Sequence, residues 1–355
     1  MPPFTNSVSK IDLLLLRGFR RFESLEYSPG SGLNFITGAN AQGKTSILEA
    51  ACVLLRLRSP RTLNLAEMAR FGSPAFALEG IIHETRLSLI CTPPTRLLKL
   101  DGVAQSNSND YLRKGKIVWF GSEDLSLVSG PAERRRKLLD SAGLQVTGNY
   151  GADLKHYDRA LRSRNFLLRE GKPRREIDAY NIPLAESGDR LIAARSALVM
   201  ALYPLAAEAC YSISGEKLTL SYQPGATTPM LEALEASRNE EIRLRQTRVG
   251  PQRDDVEIHL NGIPAGAFAS EGQRRTMAIA LKLAVAGLLQ HENGTPPLLL
   301  LDDIFGELDP SRRDALLCGI PAGSQALLST TDLSGITLPQ GSSVQRLNAE
   351  RLTPE

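Results

Sequence analysis

Leu33-Asn-Phe-Ile-Thr-Gly38-Ala39-Asn40-Ala41-Gln42-Gly43-Lys44-Thr45-Ser46 passes from a short apolar run, through a loop bounded by two glycines, into a helical pattern over Lys44–Leu55. Gly38 to Thr45 matches the phosphate loop G-x-x-x-x-G-K-[ST]. In such a loop the glycines let backbone N–H groups curl around phosphates, the lysine reaches the outer phosphates, and the hydroxyl holds Mg²⁺. The helix that follows points its positive N-terminal end at the bound anion. A tight turn would also use glycine. The strand before the loop and the helix after it favour a nucleotide site made by residues 38–46, with ATP and Mg²⁺ as its cofactors.

A second segment completes this site from the other end of the chain. Leu298-Leu-Leu-Leu-Asp302-Asp303 reads as a central strand delivering two carboxylates to a sheet edge. Asp302, with Thr45, is expected to hold the metal, and Asp303 to polarise an attacking water. Lys44, Asp302 and Asp303 are therefore the candidate catalytic residues.

The 355 residues allow one large or two ordinary domains, and 42% apolar with 23% charged residues is a globular composition. No run of about 20 purely apolar residues and no basic-then-apolar leader is visible, which predicts a cytoplasmic protein without a membrane role. Cys52, Cys91, Cys210 and Cys318 are scattered and form no C-x-x-C, so neither a disulfide framework nor a zinc site is expected. Net charge is only +3, but Glu133–Glu176 holds 12 Lys or Arg against 6 Asp or Glu. Arg134, Arg135, Arg136, Lys137, Arg159 and Arg162 are the candidates for DNA phosphate contact, although a solvated helix face looks the same.

Strands are expected at Ile11–Leu16, Leu33–Ile36, Phe76–Ile82, Arg86–Ile90, Leu97–Leu100 and Ile117–Phe120. From about Glu123 to Thr247 the pattern is helical, with Tyr150–Arg169 and Leu184–Ser212 separated by Gly171-Lys-Pro173, and a further helix near Met230–Gln246. Strand Val256–Leu260, a turn at Asn261-Gly262, and helix Glu271–Gln290 follow. The expected fold class is α/β. Residues 1–120 and 248–355 would form an ATPase domain, and 121–247 a basic helical insertion.

Ser270-Glu271-Gly272-Gln273 opens the last of these helices, where a serine and free backbone N–H groups make an anion-binding surface or simply a cap. This tetrapeptide resembles the signature motif of ABC-type ATPases, whose serine contacts the γ-phosphate held by a second subunit. That resemblance implies a head-to-tail dimer sandwiching ATP. Glu307-Leu308-Asp309 looks like the D-loop at such an interface, and Leu328-Ser-Thr330-Thr331-Asp332 occupies the switch position.

Five segments resemble the bacterial RecF family in particular: Leu15-Leu-Arg-Gly-Phe-Arg-Arg-Phe22; the phosphate loop and helix through Arg58-Ser-Pro-Arg-Thr62; Asp124–Gly130 with Arg134-Arg135 and Leu139-Asp140; Gly250-Pro-Gln-Arg-Asp-Asp255; and Asp302–Arg313. Gln252 stands where that family's pattern has His, Glu271 where Gln is usual, and Gly306 where Ser is usual. No glutamine is assignable as a Q-loop.

The resemblance implies an ABC-ATPase head with an inserted helical domain and a slow, DNA-dependent ATPase. Its ATP-driven homodimer would clamp duplex DNA at gaps or stalled forks, and would help RecO and RecR load RecA at the nucleoid. The alternative is the ATPase subunit of an ABC membrane transporter. Against it stand the long interval between phosphate loop and signature and the basic insertion. An SMC-type structural protein would need far longer heptad segments.

Overall fold

The computed structural model describes residues 9–62, 64–334, 336–348 and 351–354; the side chains of Leu65 and Glu307 lie outside the described residues. The chain divides into two compact units, 1–124 with 279–355, and 125–278.

The first unit holds two sheets. An antiparallel one has the order β2-β1-β4-β5-β6-β7, built from β1 Ile11–Phe19, β2 Phe22–Tyr27, β4 Phe76–Ile82, β5 Thr85–Thr92, β6 Thr95–Leu100 and β7 Val103–Ala104. The other has the order β15-β14-β3-β13-β12-β8, from β3 Leu33–Thr37, β8 Ile117–Phe120, β12 Leu298–Asp302, β13 Ala326–Ser329, β14 Ser343–Asn348 and β15 Arg351–Pro354. In it only the β14–β15 pair is antiparallel. Helix α1, Lys44–Arg56, packs on strands of both sheets. Ser46 through Leu55 are all buried, as in a helix enclosed on every side. β12 is equally enclosed, which is why it reads as unbroken leucine where an alternating pattern would mark a half-exposed strand. The short helix α2, Asn109–Leu112, and α11, Pro310–Gly319, also belong to this unit.

The second unit is mainly helical. Its elements are α3 Ser126–Ser129, α4 Ala132–Val146, α5 Tyr150–Arg169, α6 Arg174–Asp178, α7 Asn181–Ser214, α8 Met230–Leu244, α9 Ala265–Phe268 and the start of α10, Glu271–Asn293. α7 is the spine, packing on α4, α5 and α8. By length and composition it would qualify to cross a membrane. Here its buried side carries Leu184, Leu191, Leu198 and Leu202 against these neighbours, with the buried Arg195 at mid-helix.

Residues 121–247 were expected to be largely helical, and β9, Leu218–Gln223, is a strand among them that was not foreseen. It pairs along its whole length with β10, Asp255–Leu260, and β10 pairs with β11, Ile263–Pro264. That pairing ties residues 248–278 to the helical unit, so the second division falls at 278/279, within α10, where 247/248 was expected. β2, β13, β14, β15 and α11 are further elements that periodicity had not marked.

Two buried ionic groups hold the helical unit. Arg164 and Glu241, 2% and 1% exposed, pair at 2.7 Å. Asn181 and Thr247 accept two more of the guanidinium bonds, at 2.9 and 2.8 Å, and Arg248 N donates to Glu241 at 2.8 Å. Removing one partner strands a buried charge, which costs about 3–5 kcal/mol. Glu241→Ala should therefore lower the urea midpoint sharply, whereas the paired apolar replacement Arg164→Met with Glu241→Leu should recover most of the loss.

Candidate functional site

Three adjacent parallel strands deliver the chemistry to one sheet edge. The register sets Asp302 beside Ser329 and Ser329 beside Ile36, so β12, β13 and β3 end together. This is the carboxyl edge, where open α/β sheets bind ligands. β3 runs straight into the phosphate loop, where Gly38 and Gly43 have φ of +141° and +101°. A Cβ on Gly43 would sit 2.7 Å from the Phe22 ring and one on Gly38 2.9 Å from the Leu347 carbonyl. Neither position can take a side chain.

Lys44 Nζ donates to the carbonyls of Gly38 at 2.6 Å and Ala39 at 2.9 Å. Burial lowers its pKa, and the charges of Asp303 and Asp302 oppose that shift. Thr45 Oγ1 donates to Asp302 Oδ1 at 2.7 Å, and Ser329 Oγ donates to the same oxygen at 2.8 Å. Burial raises the Asp302 pKa above the usual carboxylate range, more than these hydrogen bonds lower it. Asp303 has φ of +51°, and its N–H donates to Ser329 O and Oγ. Together with Arg21 and Arg61, residues 40–46, Asp303 and Ser329 enclose a cavity of about 390 Å³.

The hydroxyl of Thr45 and the carboxylate of Asp302 are hard oxygen donors of the kind Mg²⁺ takes. The bare backbone at Gly38 and Gly43 is a cradle that only glycine permits. Phosphate and metal both fit the donor set.

Residue type alone did not point to Arg21, Arg61 or Ser329. Arg21 Nη1 donates to the Ala41 carbonyl, bracing the loop from the β1–β2 turn. Arg20, its neighbour, makes a bidentate pair with the buried Glu49 of α1, which also accepts from Ser59. Both arginines of the cavity wall lie in RecF-like segments, but nothing in their local sequence aims them at the loop. Ser329 could have been inferred as the last residue of an apolar strand adjoining Asp302.

The expected switch residues face elsewhere. Thr330 is buried and its Oγ1 donates to Asp332 O at 2.8 Å, while Thr331 is exposed; neither lines the cavity. In the D-loop segment Phe305–Glu307 forms a single turn and Leu308 is buried. Asp309 caps α11, accepting from Arg312 N at 3.0 Å, and its hydrogen bonds from Ser311 and Arg312 hold its pKa down to about 2. The Glu307 side chain is outside the described residues.

Ser270 and Gln273 form a reciprocal capping box. Gln273 N donates to Ser270 Oγ at 3.3 Å and Ser270 N to Gln273 Oε1 at 2.9 Å. Ser270 and Glu271 remain exposed, and Gly272 is half-buried.

The basic candidates divide. Arg135 is spent on a bidentate pair with Asp255 at 2.6 and 3.0 Å, and Arg136 donates to the Asp254 carbonyl at 2.7 Å. These two are structural, because the 250–255 segment folds back on α4. Lys137 pairs with Glu133 on the surface, Arg134 is half-buried, and Arg159 and Arg162 are exposed on α5.

A family model described as an AAA domain matches residues 14–86. The chain is 38% identical over 345 residues to the DNA replication and repair protein RecF of a Synechococcus strain, covering 90% of each chain. It is 34% identical to RecF of Lacticaseibacillus casei, over 92% of this chain and 94% of that one. The chain belongs to the RecF family. A solved structure described as the recombination mediator protein RecF-ATP in the RecFOR pathway aligns with a TM-score of 0.89, 27% identity and full coverage of both chains. An SMC head bound to the C-winged helix domain of ScpA aligns at 0.57 with 14% identity over 96% of this chain, which shows a shared fold alone. The fold is thus the ABC-ATPase head of RecF and SMC proteins, and the transporter reading is dropped.

The RecF-like segments Arg134-Arg135, Leu139-Asp140 and Gly250–Asp255 meet around Arg195. Its guanidinium donates to Asp140 Oδ1, Asp254 Oδ2 and the Pro251 carbonyl, at 2.8, 2.8 and 2.6 Å. Burial alone would lower the Arg195 pKa, but Asp140, Tyr150 and Asp254 overcome it and raise it. Gln252, where the resemblance led us to expect His, accepts from Tyr157 and donates to Val249 O at 2.9 Å.

The raised pKa of Asp302 carries a sign. Its ionised form is disfavoured by folding, so the carboxylate costs stability at neutral pH and the cost is relieved as pH falls through the raised value. Asp302→Asn should match or exceed the parent protein's melting temperature without nucleotide. Its stabilisation by Mg²⁺-nucleotide, about 2.7 kcal/mol for the parent at 100 times Kd, should vanish in calorimetry.

Proposed function

We propose that this chain is an ATP-gated DNA-binding protein of recombinational repair, with a weak DNA-dependent ATPase as its reset. The observation that carries the proposal is the convergence of Lys44, Thr45, Asp302, Asp303 and Ser329 at one sheet edge. Lys44 is placed to leave its loop carbonyls for the outer phosphates. Thr45 and Asp302 would hold Mg²⁺, which when bound neutralises phosphate charge. Asp303 would orient the attacking water from the cavity wall. An aspartate reaches less far than a glutamate, in keeping with a slow switch.

Exposed Ser270 at the start of α10 supports a trans contact with the phosphates of a second copy, giving an ATP-dependent homodimer. Capping its own helix uses the Ser270 oxygen as an acceptor and leaves its O–H, with the helix N-terminal N–H groups, to donate to a phosphate. ATP would shift the population toward the closed dimer because both copies touch it only there. Membership of the RecF family supports double-stranded and gapped DNA as ligands, RecO and RecR as partners, RecA loading as the outcome, and the nucleoid as the place of action.

Duplex binding should be tight and salt-sensitive with a slowly hydrolysed ATP analogue, and weak with ADP or no nucleotide, in fluorescence anisotropy. Equal weak binding in all three states would sink the proposal. Replacing Arg159 and Arg162 together by Ala should flatten the slope of log K against log salt by about 2, at roughly 0.9 for each phosphate no longer neutralised.

Lys44→Ala and Ser270→Arg should each abolish analogue-driven dimerisation in sedimentation. Mixing them should restore at most one composite site per heterodimer. Full dimerisation by the Ser270 variant alone would leave Ser270 only a cap.

A further inference from the structure

Immediately before Ser270 the chain presents Ile263-Pro-Ala-Gly-Ala-Phe268-Ala269, seven residues without a charged or polar side chain. Globular surfaces seldom leave such a run uncovered. Phe268 is 73% exposed and Ile263 is 52% exposed, while Ala265 and Ala269 are buried and anchor the segment from beneath. β11 and α9 hold it in place: Ile263 pairs with Leu260, and Ala269 N donates to Ala265 O at 3.1 Å. The phenyl ring is thus displayed on a short helix, two residues before the serine that opens α10.

We infer that Phe268, with Ile263, is the apolar anchor by which a second copy of this chain docks beside the nucleotide. The inference rests on the ATP-dependent dimer proposed above and adds what supplies its affinity. Continuity selects the occupant. Ser270 and Glu271 are exposed at the end of α10 offered to the partner, and Phe268 precedes them by less than one helical turn. Any copy whose phosphates reach Ser270 must come within reach of the ring.

Charge argues the same way. The segment offers nothing to a nucleic-acid backbone, which needs cations or donors. A protein surface closing on it would bury an aromatic with an aliphatic neighbour, the composition of an interface centre, with Ser270 and Glu271 as part of the polar rim. The single monomer gains nothing from exposing a phenyl ring. The dimer gains its burial, and only in the state that nucleotide creates.

The test uses the full chain. Phe268→Ser and, separately, Ile263→Ser are compared with the parent by sedimentation with a slowly hydrolysed ATP analogue, with nucleotide affinity of the dilute monomer measured by a fluorescent ATP derivative. The expected result for Phe268→Ser is a dimer dissociation constant raised roughly 30-fold, as for a central aromatic anchor, with monomer nucleotide affinity unchanged. Dimerisation equal to the parent protein in both variants would overturn the inference while leaving the composite site intact. Failure of the parent protein itself to dimerise with the analogue would overturn the dimer and the anchor together.

A second readout avoids relying on a weakened variant. Phe268→Cys is placed in a Cys318→Ser background, since Cys52, Cys91 and Cys210 are buried. Maleimide labelling should slow on addition of the analogue, and more so at higher protein concentration. Labelling at one rate with and without analogue would count against the anchor, and protection independent of protein concentration would assign the ring to its own chain.

Discussion

The Asp302 carboxylate accepts from Thr45 Oγ1 and Ser329 Oγ, and through it residues 257 positions apart in the chain close one site. The geometry follows from parallel pairing of β3, β13 and β12, which align their ends without any loop spanning the cavity. α1 is enclosed by both sheets and so cannot tilt to relieve strain at its N-terminus. The phosphate loop is consequently set by the core, with Arg21 bracing it at Ala41 and Arg20 locking Glu49 beneath. Burial of Asp302 raises its pKa, a cost the fold carries at the position proposed to hold the metal.

The helical unit uses its arginines in two ways. Arg164 and Arg195 are almost wholly buried and satisfied by carboxylates, hydroxyls and carbonyls, so α5 and α7 are each tied to the 241–254 stretch by ionic contacts. Such groups add less net stability than apolar packing would, but misplacing either leaves a buried charge, which penalises other arrangements of these helices. Arg135 and Arg136 do the same work at partial exposure. Arg159 and Arg162 project outward, as do Lys155, Arg169, Lys172 and Arg175, so much of the basic stripe stays on the surface for a ligand.

Much of this was legible from residue order. The loop at 38–45 and the leucine strand before Asp302 are local signals: each element's chemistry is written in a few consecutive residues. Tyr150–Arg169 was legible because twenty residues of one periodicity average out local exceptions. β9 was hidden because Leu218-Thr-Leu-Ser-Tyr-Gln alternates over only six residues at the end of a long helical stretch, and its partner β10 lies some thirty residues on. β14 and β15 mix polar residues into short strands at a sheet edge, where pairing replaces pattern.

The sequence by itself determined that a phosphate loop and a carboxylate-tipped strand form a nucleotide site, and that residues of about 123–247 are largely helical, with a basic stretch at 133–176. Those features depend on residue type and near spacing. Tertiary structure alone decided that Ser329 faces Asp302 while Thr330 turns away to Asp332, and that Arg21 and Arg61 join the cavity wall. It alone decided which arginines are consumed internally and that Phe268 stands in solvent. Each of these depends on which distant backbone lies alongside, a relation set by sheet register and helix packing that no single stretch of residues contains.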